Sequence, residues 1–288
     1  MALSEMLTVR ISTSVREQVD AWRRDADRIA FVPTMGNLHD GHLSLMSLAR
    51  SRVERVVCSI FVNPTQFSSE EDLENYPRTL DQDESALAEQ GAVDLLFVPD
   101  PKTIYPYGTD SAVAINLPPL GGDLCGALRP GHFDGVASVV LRLLNIVTPD
   151  VLVLGDKDYQ QRVLMQRLLA DLSIPIEVIA GEIYREPDGL AMSSRNGYLS
   201  ADERAVAPVL NAVLKEVASA LRNGTNDYES LERFAGDELV ARGFNPDYVS
   251  IRRARDLAPP EVFESGDKCI VLAAAWLGKA RLIDNVLV

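Results

Sequence analysis

The chain has 288 residues, 47% of them apolar, which is enough for one large or two modest folded domains with a true core. A formal charge of −14 repels polyphosphate backbones and anionic lipid surfaces, so neither nucleic acid nor a membrane is expected as a partner, while small anions in a locally positive pocket stay possible. The N-terminal stretch lacks a signal peptide's apolar run and no long apolar segment suggests a membrane span, so a cytoplasmic protein is expected, and Cys58, Cys125 and Cys269 are too scattered for a disulfide framework or a Cys-based zinc site and read as buried free thiols.

In chain order, a helix is predicted over 12–26, where Ser12 to Ser14 supply caps, followed by an apolar strand IAFVP from residue 29. Helix 39–52, strand VVCSIFV from 56, helix 80–90, strand DLLFVP from 94, helix 136–147, strand VLVLG from 151, helix 159–172 and strand IEVIA from 176 continue the alternation. The helix at 159–172 carries an apolar stripe at Val163, Leu164, Leu168 and Leu169. Near-continuous apolar strands alternating with helices predict a parallel α/β sheet covered on both faces, and such sheets bind ligands where loops leave the carboxyl ends of strands. After Ala180 the texture changes: residues 182–200 are polar and rich in turn formers, helices follow at about 201–222 and 228–242, then strands near 248–253 and 269–287 with a hairpin around Leu277 to Lys279. The expectation is a first domain over 1–182 and a smaller α+β domain over 183–288. The densest basic segment, Arg252, Arg253 and Arg255, is short and flanked by acids, and reads as a solvated turn or subunit contact.

Two of the three histidines fall in PTMGNLHDGH, residues 33–42, after the first apolar strand and at the opening of a helix. Backbone N–H groups at a helix start can face an anion, Gly36 and Gly41 allow close approach, and residues three apart share a helix face, so His39 and His42 can point together. The pattern suits nucleotide phosphate, but also a metal pair or ordinary capping histidines. The third, His132, lies in RPGHFDGV before another apolar helix; Arg129 and His132 could equally close that loop by hydrogen bonding. In SIFVNPTQF, Asn63 and Gln66 follow a strand and can both donate to and accept from a substrate, or Asn63-Pro64 can be a plain turn. GDKDYQQ, after strand VLVLG, offers Gly155 for close approach, a positive charge at Lys157, Asp158 as an acceptor for ribose and Gln161 one turn on, or simply a solvated helix start. DGLAMSSRN joins two hydroxyls to Arg195 in a loop between the domains that could fold over a triphosphate or serve as a linker.

Six segments in order, PTMGNLHDGH, SIFVNPTQF with the following EDLENYPR, RPGHFDGV, GDKDYQQ, DGLAMSSRN and ARLIDN, closely resemble the pantoate–β-alanine ligase family of the nucleotidyltransferases whose signature is HxGH, here His39-Asp40-Gly41-His42. The resemblance implies a Rossmann-like first domain, a second domain acting as a lid, a homodimer formed through the first domain, and ligation of pantoate to β-alanine with ATP and Mg2+ through a pantoyl adenylate. By motif, Met35, Gly36, Asn37, Leu38, His39, Asp40, Gly41 and His42 match the first ATP segment, with His42 the proton donor and His39 a second phosphate contact. Gly155, Asp156, Lys157 and Asp158 match the second nucleotide segment, Tyr184 a backbone nucleotide contact, and Met192, Ser193, Ser194 and Arg195 the lid segment. Gln66 and Gln161 match the pantoate-binding amides, Gln66 also at the β-alanine position, with Asn63 and His132 as further substrate candidates. Charge growing in the transition state would be met by His39, His42, Lys157 and Arg195. Asp156 stands where the family often has Glu, and Ser138 and Arg142 where Thr and Lys are usual. No protein ligand for Mg2+ is assigned; Asp83 is a candidate. A related cytidylyl- or adenylyltransferase, a zinc hydrolase using His39, His42 and His132, and a non-catalytic nucleotide sensor are the rival readings.

Overall fold

The computed structural model describes residues 6–67, 73–74, 76–117, 119–262 and 266–288. Glu71, Asp72 and Asn75 of the EDLENYPR segment lie outside the described residues. Two compact units divide the chain, the first taking the residues up to Asp156 together with Leu164–Gly181, the second Lys157–Val163 and Glu182–Val288.

In the first unit, β1 (Leu7–Val9), β2 (Ile29–Thr34), β3 (Arg55–Ile60), β4 (Leu95–Phe97), β5 (Val151–Gly155) and β6 (Glu177–Gly181) form one parallel sheet in the order β1-β4-β3-β2-β5-β6. The connecting helices are α1 (Ser12–Arg24), α2 (Asp40–Arg50), α3 (Leu80–Gln90), the short α4 (Pro101–Ile104) and α5 (Cys125–Leu128), α6 (His132–Val147) and α7 (Tyr159–Asp171). Because successive strand residues face opposite sides, the sheet feeds two cores. Phe31, Val57, Phe97 and Leu152 pack with Val15 and Val19 of α1, Val140 and Leu144 of α6, and Leu164 and Leu168 of α7. Ala30, Val32, Val56, Cys58 and Val153 pack with Met46 and Ala49 of α2 and Leu87 of α3. This is the doubly covered α/β sheet that the alternating pattern predicts.

β2 has β3 on one side and β5 on the other. From β2 the chain steps outward through β3 to β4 and then crosses back to begin again at β5, so the carboxyl ends of β2 and β5 flank the point where strand order reverses. Open α/β sheets leave their ligand crevice at such a point.

In the second unit, α8 (Ala201–Val206), α9 (Val209–Arg222) and α10 (Tyr228–Ala241) accompany an antiparallel sheet of β7 (Asn245–Arg253), β8 (Cys269–Leu277) and β9 (Ala280–Leu287). Leu210, Leu214 and Val217 of α9 and Leu239 of α10 pack against Ile251, Val271, Ala273 and Leu282 of the sheet. β8 and β9 form the predicted hairpin.

Several boundaries differ from the sequence expectation. β1 was not predicted, since three residues carry no usable periodicity. The single helix expected over 201–222 is two, because Pro208 lacks an N–H and its ring clashes with the preceding turn. α6 begins at His132 rather than at the apolar run from 136, after Gly131 at φ 77°. Of the three free thiols only Cys58 is fully buried, and burial pushes its pKa well up, while Cys125 and Cys269 are half-buried. The flanking acids noted beside Arg252–Arg255 do pair with it: Arg253 bonds Asp256 at 2.7 Å and Asp267 at 3.1 Å, and Arg255 lies 3.6 Å from Asp267.

Gly135, in the first turn of α6, lies against the 3-10 turn Pro64–Gln66, where an added Cβ would sit 2.2 Å from the Thr65 carbonyl oxygen and 2.9 Å from Gln66 Cα. Both neighbours are backbone and cannot swing aside. Gly135→Ala is expected to lower unfolding free energy by roughly 1–3 kcal/mol, as overpacking does, read from urea midpoints; an unchanged midpoint would contradict this packing.

Candidate active site at the carboxyl ends of the strands

The loop from β2 into α2 turns through two residues of positive φ, Gly36 at 82° and Asn37 at 52°, a conformation open to Gly and tolerated by Asn. It is held by Asp83, on the first turn of α3 and 3% exposed. One carboxylate oxygen accepts the Asn37 N–H at 2.9 Å, the other the Leu38 N–H at 2.8 Å, and Thr79 Oγ1 lies 3.3 Å from each. Asp83, a candidate magnesium ligand by sequence, is thus an internal anchor. The amide cradle expected of this loop narrows accordingly: Gly36 N–H goes to Thr34 Oγ1 at 3.3 Å and His39 N–H to His42 Nδ1 at 3.3 Å. The amides left for an anion are those of Asp40 and Gly41, which start the helix and have no acceptor within it.

His39 is the N-cap of α2 and His42 its third residue, with ring centroids 4.0 Å apart and planes inclined at 34°. The two imidazoles therefore do share one face. Because Nδ1 of His42 accepts from a backbone N–H, the neutral ring carries its proton on Nε2, which makes that atom a hydrogen-bond donor.

After β3, Asn63 is 1% exposed and its amide is consumed internally. Its Nδ2 donates to Gly135 O at 3.2 Å and to Gln66 Oε1 at 3.1 Å, while its Oδ1 accepts from the buried Tyr105 hydroxyl at 2.8 Å and the Thr65 N–H at 3.4 Å. Asn63 accordingly orients Gln66 rather than facing a ligand itself. With Oε1 taken, Gln66 presents its Nε2, which lies 3.0 Å from Met35 Sδ on the β2 loop. His132 has a similar part: a carbonyl can only accept and a guanidinium only donate, so its Nδ1–H donates to Gln66 O at 2.8 Å and its Nε2 accepts from Arg129 at 3.0 Å. With both ring nitrogens so used, His132 does not complete a zinc triad with His39 and His42, and among the described residues no group of three His, Cys, Asp or Glu side chains is placed to hold a metal. Ser138 and Arg142 contact each other, Arg142 Nη1 donating to the Ser138 carbonyl at 2.9 Å while its guanidinium lies 4.8 Å above the Tyr105 ring.

Gly155 and Asp156 close β5 in the first unit, and Lys157, Asp158 and Gln161 belong to the second. Lys157 Nζ is 3.9 Å from Asp158, whose side chain is half exposed, so the pair is weak and the ammonium stays usable. Within this unit Lys157 lines a small cavity with Leu190, Ala191, Ser193, Asn196 and Asp284, so the lysine turn and the DGLAMSSRN segment come together. That segment is no plain linker. Arg185 and Ala191 are bridged, Tyr184 O accepts the Met192 N–H at 2.9 Å, Ser193 Oγ accepts the Arg195 N–H at 3.2 Å, and a 3-10 turn over Ser194–Tyr198 carries Ser194 and Arg195. Arg204 bonds Asp188 and holds its carboxyl below the ordinary range. The anchors Asp83 and Tyr105 gave no sequence signal as such, because their partners are backbone amides and a buried amide distant in the chain.

The reversal of strand order, the paired imidazoles beside it and the oriented amide of Gln66 define an α/β ligand-binding protein of the doubly wound class. The sequence profile of the pantoate-beta-alanine ligase family matches residues 7–287. Pantothenate synthetases of Thioalkalivibrio sulfidiphilus and Shewanella amazonensis are each 50% identical over 98% of this chain and over 97% and 99% of their own. The Thermus thermophilus pantothenate synthetase structure superposes with a TM-score of 0.88 at 41% identity, covering 98% of this chain and 99% of that one. The Francisella tularensis pantoate-beta-alanine ligase complexed with beta-gamma ATP and beta-alanine gives 0.79 at 35%, covering 98% and 97%. The chain belongs to the pantoate–β-alanine ligase family.

Asp83→Ala would strip the acceptor from two partly buried amides, each worth up to about 1–3 kcal/mol when left unpaired. The urea midpoint of that variant is expected to fall well below that of the parent, and a midpoint within error of the parent would remove Asp83 as the anchor.

Proposed function

We infer that the chain condenses (R)-pantoate with β-alanine, converting ATP to AMP and pyrophosphate through a pantoyl adenylate. The observation that carries this is a match to the ligase family over nearly the whole chain, with a protonated His42 Nε2 and an oriented Gln66 amide at the carboxyl ends of adjacent strands. A carboxylate oxygen of pantoate attacks the α-phosphorus and the bond to the β,γ-phosphates breaks, releasing pyrophosphate. The β-alanine amine then attacks the acyl carbon, AMP leaves with the bonding electrons, and the amine loses its proton. No side-chain nucleophile is needed; binding, orientation and charge compensation suffice.

Roles follow the family resemblance of each segment, and the local geometry supports them at His42 and Gln66. His42 donates from Nε2 to phosphate oxygen, with His39 beside it, and the Asp40 and Gly41 amides at the start of α2 add their partial positive charge. Met35, Gly36, Asn37 and Leu38 shape the loop. Gly155 and Asp156, with Lys157, Asp158, Tyr184, Met192, Ser193, Ser194 and Arg195, are assigned to ATP, Lys157 and Arg195 supplying the cations. Gln66 and Gln161 are assigned to pantoate, Gln66 also to β-alanine, and Asn63 and His132 act on substrate through Gln66. The second unit is assigned the lid role, excluding water from the reactive adenylate. Mg2+ would enter with ATP, held mainly by phosphate oxygens and water. When bound it would offset phosphate charge. A homodimer formed through the first unit and a cytoplasmic location complete the reading; no helix of the described residues is long and apolar enough to cross a membrane.

His42→Ala is expected to slow pyrophosphate release from ATP and pantoate by about 10^2-fold or more, the scale of one preorganised donor, with the fold retained by circular dichroism. Unchanged release would take the imidazole out of the reaction.

A further inference from the structure

The ARLIDN segment has no part in the chemistry above, yet it holds the most fully bonded buried carboxylate of the second unit's described residues. Asp284, on β9 and 3% exposed, accepts from Arg185 Nη1 at 2.7 Å and Nη2 at 2.9 Å, from Asn211 Nδ2 at 3.0 Å and from the Asn285 N–H at 2.7 Å. Arg185 Nη1 also donates to the Gly189 carbonyl at 3.0 Å. The guanidinium thereby ties the turn that precedes Met192 to β9. The next residue, Asn285, is 6% exposed and donates from Nδ2 to the Lys157 carbonyl at 3.3 Å. Adjacent residues of one strand thus hold the root of Lys157 and the root of the Met192–Arg195 loop, and Lys157, Ser193 and Asp284 line the same small cavity.

We propose that Arg185, Asp284 and Asn285 are positioning residues that set Lys157 and the Met192–Arg195 loop in register for the phosphates of the nucleotide, an inference resting on the ATP role assigned to Lys157. A buried, fully satisfied polar network is stiff, so the backbone points from which the two cationic side chains extend are fixed before ligand arrives. Neither Asp284 nor Asn285 needs to touch the nucleotide. The salt-bridged Asp284 holds the loop through Arg185, and Asn285 holds the lysine through its main chain.

The test is a double-mutant cycle on the full chain, with KM measured separately for ATP and pantoate. Asn285→Ala should raise KM for ATP on the order of fivefold, the scale of one hydrogen bond, leave KM for pantoate unchanged, and have little further effect when Lys157 is already Ala. A rise of equal size in the Lys157→Ala background, no rise at all, or a rise shared by pantoate would overturn the proposal. If Asn285→Ala does not fold, Asn285→Asp, which keeps the side-chain volume and replaces the donor, is read through the same cycle with the same criteria. A Lys157→Ala variant with unaltered KM for ATP would instead overturn the role assigned to Lys157, and the register inference with it.

Discussion

Two backbone N–H groups bonded to one buried carboxylate fix the loop that carries the paired imidazoles. Asp83 accepts from Asn37 and Leu38 and so holds a turn of positive φ at the point where the strand order of the sheet reverses. Everything downstream in that loop follows. The chain enters α2 at His39 with an extended N-cap, His42 comes round to take the His39 N–H, and the proton of its neutral ring is thereby confined to Nε2. A residue that a reading of acids alone would give to a metal is the reason an imidazole has a defined donor.

The same economy of charge recurs across a strongly acidic chain. Several carboxylates beside the proposed segments are occupied by donors, while Asp158 stays half exposed. Asp83 is bonded by amides, Asp188 by Arg204, and Asp284 by Arg185 and Asn211. The first unit offers as donors the first-turn amides of α2, the Nε2 proton of His42 and the Gln66 amide, and the second unit carries Lys157 and Arg195. Amide polarity is controlled as closely as charge. The Gly135 carbonyl and Thr65 N–H decide which end of Asn63 is which, and Asn63 then decides the same for Gln66.

The parallel sheet and the final hairpin were legible in the sequence because strand-length apolar runs alternate with amphipathic stretches, and that pattern reports burial directly. So was the meeting of His39 and His42, which follows from three-residue spacing at a helix start. Less legible was whatever rests on contacts distant in the chain. Nothing local marks Asp83 as the partner of Asn37 and Leu38, or tells that the amide of Asn63 and both nitrogens of His132 are turned inward to Gln66. The grouping of Lys157–Val163 with residues beyond 182 was equally invisible, since that break falls inside a continuous helix. Pro208 was a readable signal that the apolar periodicity around it outweighed.

In the reaction inferred for this chain, activation of pantoate precedes, and is separable from, capture by β-alanine. Rapid-quench measurement of pyrophosphate and AMP, with each of the three substrates omitted in turn, tests it most directly. Pyrophosphate should appear as a burst of a single equivalent per site from ATP and pantoate alone, with sustained release of AMP requiring β-alanine as well. Pyrophosphate formed without pantoate, or none at all until β-alanine is added, would contradict it.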